Sequence, residues 1–417
     1  MRPLFRFPAT TAHHHHHHLR RQIRTFINAR IKWVRDPYLD TAVEREKNLK
    51  PLLSLKTLIL SDPTKTLPLS AVSPLKPHLN LPTAADKFIQ NHPLIFKIFL
   101  PPNKSNSLPH VKLTPKALSL HYEEMLILSL SRYRKDVAER LAKLLMLARS
   151  RKLPLFLIDM FKHDLGLPHD YLLTLLLEFP DYFQICDMGF RDASGEAVFG
   201  LELVSWRDEF AVSVMEKKGR EEGVQIRYSM NLPSGYDLGK RVAEWMEEWQ
   251  NLPYISPYEN AFHLSPNGDQ AEKWAVGVIH ELLTLLVSKK TERDNIFCLG
   301  DFLGFGRLRI KKALVHFPGL FYVSNKIRTQ TVVLREGYVK NLLSENHPLM
   351  VMRNRYIRLM NLLKEMKSRT PLGNHLTELP VIRKGMLLTQ SSFYIDYEIS
   401  NISCVGGVGG FSLHLIR

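Results

Sequence analysis

The chain has 417 residues, of which 45% are hydrophobic, and carries a formal net charge of +16 at neutral pH. This apolar content fills the cores of two or three compact domains and excludes a wholly disordered chain. The three cysteines are far apart and odd in number, which argues against a disulfide framework or a CxxC zinc site and favours a reducing compartment. No window reaches the roughly 18 uninterrupted apolar residues of a membrane-spanning helix, so we predict a soluble protein.

The first 35 residues carry eight positive charges and no acidic residue. From Leu19 to Val34 the apolar residues recur at helical spacing between arginines, which is typical of an organelle import sequence. Plastid presequences tend to be serine-rich and this segment has no serine, so we favour a mitochondrial address, with the chloroplast as the alternative. We expect residues 1–30 to be a presequence that is removed on import, together with the histidine run at 13–18. The alternative is a basic tail that binds nucleic acid.

A short pattern occurs three times along the chain without gaps. The copies are NHPLIFKI at 91–98, EFPDYFQI at 178–185 and HFPGLFYV at 316–323, and each has a proline followed three residues later by phenylalanine. Because proline cannot continue a helix, each copy predicts the end of the apolar-periodic helix that precedes it. Short β-prone runs separated by turn residues follow each copy and predict a hairpin.

In the second and third copies a further helical segment ending in glycine comes first. Helix, turn, helix and hairpin is the order of a winged helix-turn-helix, a unit that often binds nucleic acid. We therefore predict an α+β, mainly helical fold in which helical connectors join three winged-helix-like units, at about 50–115, 153–206 and 296–337. The alternative is a repeated unit that serves protein packing alone, since a fold does not fix a function.

Charge separates the three units. Residues 50–115 and 301–340 each have a net charge of +6, whereas residues 149–210 have a net charge of −5. Because phosphates are neutralised by lysine and arginine, the first and third units are the predicted nucleic-acid faces, and the second is interpreted as a scaffold or protein contact. The predicted RNA-binding residues are Arg307, Arg309, Lys311, Lys312, Lys326 and Arg328 in the third unit and Lys97, Lys104 and Lys112 in the first.

Motifs of catalysis are incomplete in this chain. HELLT at 280–284 lacks the second histidine of the zincin pattern, so His280 is interpreted as a helix-face residue. GFGRLR at 304–309 lacks the third glycine of a dinucleotide-binding loop and is interpreted as a helix-turn-helix corner. Cys186 and Cys298 lie in apolar runs typical of buried structural thiols. We predict no catalytic residue, no metal site, no cofactor and no small-molecule substrate.

Long segments in the same order along residues 31–365 resemble the plant organelle RNA recognition (PORR) domain family. They are RIKWVRDPYLDTAVEREKNLKPLLSLKTLIL, LPLFLIDMFKHDLGLPHDYLLTLLLEFPDYFQI, LPYISPYENA, EKWAVGVIHELLTLLVSKKTERDNI and HPLMVMRNRYIRLMNLL. The resemblance implies import into mitochondria or plastids, binding to organelle transcripts and promotion of group II intron splicing as a non-catalytic factor. Residues 366–417 depart from the family's pattern and are expected to form an irregular tail.

The expected function is therefore that of an organelle RNA-binding splicing factor that is not an enzyme. Its expected partners are group II intron transcripts and other splicing factors, without a membrane. Basic helices and wings would hold the phosphate backbone, while exposed aromatic rings would stack on unpaired bases. Two alternatives stay open: a protein-interaction scaffold in an organelle RNA-processing assembly, centred on the acidic second unit, and a winged-helix DNA-binding protein.

Overall fold

The computed structural model describes residues 33–369 apart from 102–107, 234–235, 237–238 and 266–267. The predicted presequence 1–30, with its histidine run, and the chain from residue 370, with Cys404, lie outside the described residues. The described chain as far as Lys367 belongs to one compact unit. No helix within these described ranges is long and apolar enough to cross a bilayer.

The elements follow one another in a repeating order. The first element of the described residues is α1 (Pro37–Glu44). The first unit comprises α2 (Leu49–Ser61), β1 (Thr66–Pro68), α3 (Leu69–Val72), α4 (Ala85–Gln90), β2 (Phe96–Phe99) and β3 (His110–Leu113). After α5 (Pro115–Ser129), the second unit comprises α6 (Ser131–Leu147), β4 (Lys152–Pro154), α7 (Leu155–Leu165), α8 (Leu175–Glu178), β5 (Phe183–Arg191) and β6 (Ala197–Leu203).

The second half of the chain repeats this order once more. It begins with α9 (Val214–Glu222) and α10 (Lys240–Gln250). The third unit comprises α11 (Asp269–Leu285), β7 (Lys290–Glu292), α12 (Arg293–Leu303), α13 (Arg307–His316), β8 (Phe321–Ser324) and β9 (Thr331–Leu334). A small hairpin of β10 (Tyr338–Val339) and β11 (Leu342–Leu343) leads to α14 (Pro348–Arg369). The predicted mainly helical α+β class is confirmed.

Each unit contains a three-stranded antiparallel sheet whose last strand lies in the middle, in the orders β1-β3-β2, β4-β6-β5 and β7-β9-β8. The three predicted hairpins are confirmed. The short strand that follows the first helix of each unit was not predicted. Its three residues carry no period of their own and become a strand by pairing with the far strand of the hairpin.

The repeated proline and phenylalanine have the same role in each unit. The helix before each proline ends at Gln90, Glu178 or His316, as predicted. The phenylalanine then opens the next strand, and Phe96, Phe183 and Phe321 are at most 5% exposed. Each lies opposite a leucine on the last strand, respectively Leu113, Leu203 and Leu334.

A basic residue in the left-handed region also recurs just before the first strand of each unit. Lys65, Arg151 and Lys289 have φ values of 55°, 56° and 51°. In the outer units the ammonium group donates to a carbonyl in the last turn of the preceding helix, from Lys65 to Leu60 and from Lys289 to Thr284, each at 2.6 Å. A cation at a helix C-terminus complements the helix dipole, which stabilises the reversal into the short strand.

The buried side chains form two main clusters. One joins the second and third units through α6 and α11 and includes Trp245 and Trp249 of α10. The other fills the first unit and takes in α14, whose Tyr356 is fully buried. With α14 the described chain therefore returns to the first unit. The same helix also contacts the second unit, since Arg353 donates to the carbonyl of His163.

Candidate nucleic-acid interface

The last helix of the third unit, α13, carries four of the predicted RNA-binding residues. The preceding helix ends at Gly304 in the left-handed region (φ 82°), where a Cβ would collide with the ring of Phe262. This is the turn within GFGRLR, and it joins α12 to α13 as the corner interpretation expects. Ile310, Ala313 and Leu314 bury one side of α13 and leave the opposite side in solvent.

The cations of α13 are divided between two sides of the helix. Arg307, Lys311 and Lys312 are exposed, and no salt bridge joins any of them to a carboxylate of the described chain. Arg309 is half-buried near Glu272, and desolvation by burial lowers the pKa of its guanidinium while that carboxylate opposes the change. The structure thus brings the first three together and sets Arg309 apart.

The connection of the third hairpin holds the other two predicted cations of this unit. Lys326 and Arg328 lie between β8 and β9, and both are exposed. Arg328 lines a cleft of about 850 Å³ whose walls come from all three units. Three lysines that the sequence analysis did not single out share this cleft with Arg328, namely Lys47, Lys50 and Lys76. For Lys50 and Lys76 the signal was the net charge of residues 50–115, which does not include Lys47. No local pattern relates any of the three lysines to a hairpin more than 200 residues further along the chain.

The carboxylates in this cleft are mostly engaged. Glu46 accepts a hydrogen bond from the Lys290 ammonium at 2.8 Å. Asp164 accepts one from the Thr291 hydroxyl at 2.6 Å. Burial opposes ionisation of Asp164, but its hydrogen bonds and the nearby charge of Lys50 hold its pKa below the ordinary value. Glu292 also lines the cleft. The four cations shared by the first unit and the third hairpin make no salt bridge with any described residue, so they remain available to an anion.

The hairpin of the first unit holds a pair of like charges. Lys97 and Lys112 are directly opposite each other on β2 and β3. The Lys112 ammonium also lies 4.7 Å from the centre of the Phe99 ring. Like charges at opposed positions destabilise a sheet unless an anion neutralises them, so this pair suits a phosphate. Lys104 lies outside the described residues.

The corresponding positions of the second unit carry different chemistry. Gln184 and Glu202 occupy the places of Lys97 and Lys112 and are joined by a hydrogen bond of 3.2 Å. Exposed apolar side chains cover this unit instead, and they are Phe156, Leu173, Leu177, Ile185, Phe190, Phe199 and Val204. Its long hairpin therefore offers apolar and acidic groups where the first unit offers lysines.

Elsewhere in the described chain no group of three or more His, Cys, Asp or Glu side chains is placed to hold a metal ion. His280 is buried on α11 and bonded to Glu336, as expected of a helix-face residue. The expectation of buried thiols was wrong: Cys186 and Cys298 are both half-buried, because β5 is largely exposed and Cys298 lies beside the buried stripe of α12. Desolvation raises the pKa of the Cys186 thiol, which disfavours the reactive thiolate.

Comparison with known proteins agrees with the resemblance seen in the sequence. The model of the plant organelle RNA recognition domain matches residues 34–365. The protein WHAT'S THIS FACTOR 9, mitochondrial, of Arabidopsis thaliana is 34% identical over 81% of this chain and 87% of its own length. The protein WHAT'S THIS FACTOR 1, chloroplastic, of Zea mays is 28% identical over 78% of this chain and 66% of its own length. The protein ROOT PRIMORDIUM DEFECTIVE 1 of Arabidopsis thaliana is 29% identical over 78% of this chain and 82% of its own length. No solved structure matches.

Proposed function

The chain belongs to the plant organelle RNA recognition domain family, and on this premise we propose that it binds RNA in mitochondria and promotes group II intron splicing. The mitochondrial address rests on the arginine-rich first 35 residues and on the mitochondrial relative; the chloroplastic relative makes the plastid the alternative. The observation that carries RNA binding is a set of cations that make no salt bridge with a described carboxylate. They are Arg307, Lys311 and Lys312 on α13, Lys326 and Arg328 on the third hairpin, and Lys47, Lys50 and Lys76 in the cleft beside it.

Each of the three units is, in this proposal, a winged helix whose third helix and hairpin face the RNA. The support is the shared order of helix, strand, two helices and two strands, with the last strand central in each sheet. In the third unit α13 takes the place of the recognition helix, and the wing carries Lys326 and Arg328. RNA has a deep, narrow major groove, so such a unit reads backbone shape and unpaired bases rather than base-paired sequence.

The factor acts by binding rather than by chemistry. A group II intron is itself a ribozyme, so stabilising its active fold is sufficient to promote splicing. A protein that binds the folded RNA more tightly than the unfolded RNA shifts that equilibrium by its differential affinity. No acid, base or metal of the protein is needed in this scheme.

RNA sequencing of organelle transcripts from a loss-of-function line tests the proposal. We expect specific introns to be retained, with transcripts otherwise present. Normal splicing of every intron would contradict the splicing role. Crosslinking followed by RNA sequencing on the purified organelle complex then locates the binding site: direct crosslinks to the retained introns support binding, and their absence contradicts it.

A second candidate function is supported by the second unit. Its acidic charge and its seven exposed apolar side chains suit a basic, apolar segment of another protein. In this scheme the chain is a scaffold in an RNA-processing assembly. Replacing Ile185 and Phe199 with serine would then remove protein partners from the purified complex while RNA crosslinks persist, whereas unchanged composition would contradict the scaffold role.

DNA binding is the remaining alternative, since winged helices bind duplexes through the major groove. Affinities for intron RNA, single-stranded RNA and duplex DNA at one salt concentration separate the possibilities. We expect both RNAs to bind more tightly than the duplex. A preference for duplex DNA would favour the alternative and contradict the proposed function.

A further inference from the structure

A second, smaller pocket also borders the third hairpin. It has a volume of about 230 Å³ and is bounded by the segment that begins at Trp33, by α13 and by the hairpin. Trp33 is 51% exposed although it lies at the pocket. An exposed half of a tryptophan side chain leaves a large apolar area in water. Covering this area with a ligand that has a flat apolar face would be favourable.

Trp33 is held in place by stacking and by the residues that follow it. Its ring stacks on Tyr322 of β8, with centroids 6.0 Å apart and planes inclined by 17°. The Arg335 guanidinium lies 5.0 Å from the centre of the same tyrosine ring. The tyrosine ring therefore supports Trp33, and half of the tryptophan residue stays in solvent.

Two carboxylates fix this segment to the third hairpin. Asp36 accepts from the Arg335 guanidinium at 2.6 Å. Asp40, which is 4% exposed, accepts from the hydroxyls of Tyr322 at 2.8 Å and Ser324 at 2.7 Å. A ring positioned in advance loses little conformational entropy when a ligand stacks on it, so this anchoring favours binding.

The pocket lining combines the chemistry needed for one nucleotide. Lys311 of α13 supplies a cation without a salt bridge to the described chain. Asn325 and Gln330 supply amide groups, of which the Gln330 oxygen already accepts from the Arg293 guanidinium. Phe297 adds aromatic surface, while none of the described residues that line the pocket is acidic. An aromatic platform beside a cation and amides is the arrangement by which proteins hold an unpaired base and its phosphate.

We propose that Trp33 is the stacking platform for one unpaired base of single-stranded RNA, with Lys311 at the adjoining phosphate. The proposal rests on the RNA-binding function above and adds a base-stacking site to a surface otherwise defined by charge. It predicts that part of the affinity depends on the base rather than on the phosphate backbone.

The test compares full-length wild type with Trp33→Ala, Trp33→Phe and Tyr38→Ala. Tyr38 is the matched control, because it is an aromatic residue of the same segment and is 54% exposed. The probes are oligouridylate and an abasic ribose-phosphate chain of equal length, which has the same charge without bases. Thermal unfolding of each variant checks that the fold is kept.

We expect Trp33→Ala to weaken oligouridylate binding by about tenfold, the effect typical of one base-stacking residue, and to leave abasic binding and the salt dependence unchanged. Trp33→Phe should keep most of the affinity, and Tyr38→Ala all of it. Oligouridylate should also quench more tryptophan emission in wild type than in Trp33→Phe.

Two results would overturn the inference and leave RNA binding in place: equal affinity of wild type for both probes, or equal oligouridylate affinity of wild type and Trp33→Ala. A wild-type chain that binds neither probe nor intron RNA would instead contradict the proposed function itself, and the stacking site with it.

Discussion

The second and third units share one architecture and differ in almost everything that faces solvent. Both run through helix, strand, two helices and hairpin, and both place the last strand in the centre of the sheet. Residues 149–210 nevertheless have a net charge of −5 and residues 301–340 one of +6. A few buried positions therefore specify the unit, and its outer surface is free to acquire a different partner in each copy.

The largest effect should come from the buried position that both units share. Phe183→Ala and Phe321→Ala should each lower the free energy of unfolding by about 3–5 kcal/mol, because each leaves a cavity in a filled core. Chemical denaturation monitored by circular dichroism measures both. The exposed Phe199→Ala is the control and should cost less than about 0.5 kcal/mol. If only one of the two buried variants lost stability, the phenylalanine would not have the same structural role in the two units.

The next effect should separate the units by charge. Replacing Arg307, Lys311, Lys312, Lys326 and Arg328 with glutamine should weaken RNA binding and flatten its dependence on salt. The slope of log affinity against log salt should fall by roughly 0.7 for each phosphate of a single strand that the protein no longer neutralises. Filter binding over a salt series measures it.

The matched control for that prediction lies in the second unit. Arg132, Lys135 and Arg191 are exposed there, and their replacement with glutamine should leave the slope unchanged. An unaltered slope in the third-unit variant would refute the assignment of these cations. Reductions in both variants that scale with the number of cations removed, five against three, would mean that total charge matters and its position does not.

A smaller effect on stability should come from Asp40, which anchors α1 to the third hairpin. Burial opposes ionisation of Asp40, but hydrogen bonds from Ser324, Arg35 and Tyr322 hold the pKa of its carboxyl below the ordinary value. A lowered pKa in the folded state stabilises the protein above the unfolded value of about 4, and this contribution is lost as pH falls through the folded value.

Asp40→Asn should therefore be destabilised by about 2 kcal/mol at neutral pH, because charged hydrogen bonds are replaced by neutral ones. Its difference in melting temperature from wild type should narrow as the pH falls below about 4. Calorimetry across a pH series checks this. A difference that stays constant with pH would show that the charge of Asp40 is not what anchors the hairpin.

The smallest effect is expected in the first unit. Lys97 and Lys112 stand opposite each other where the second unit has Gln184 and Glu202. Lys97→Gln should raise the free energy of unfolding by a few tenths of a kcal/mol, since it removes a like-charge pair, and should lower RNA affinity about twofold. A gain in stability together with a loss of RNA affinity would distinguish a binding role for Lys97 from a structural one. A variant that lost stability and affinity together would indicate a structural role for Lys97.

The fold class and the hairpins followed from local sequence. Proline at the end of a helix and alternating apolar residues after it act over a few positions, so the three copies could be predicted directly. The charge of the surface can also be predicted from the sequence, because lysine and arginine are rarely buried without a partner. Arg307, Lys311 and Lys312 were found in this way, whereas the half-buried Arg309 shows that charge alone does not reveal which side of α13 is packed.

Local sequence patterns specify the repeated unit, its mainly helical α+β class and the net charge of each copy. They do not specify that Lys47, Lys50 and Lys76 share a cleft with Arg328, or that Trp33 stacks on Tyr322, which depend on tertiary packing. Such pairings join residues more than 200 positions apart in the chain. They follow from how the units pack, and packing is set by the summed burial of many side chains rather than by any pattern within one segment.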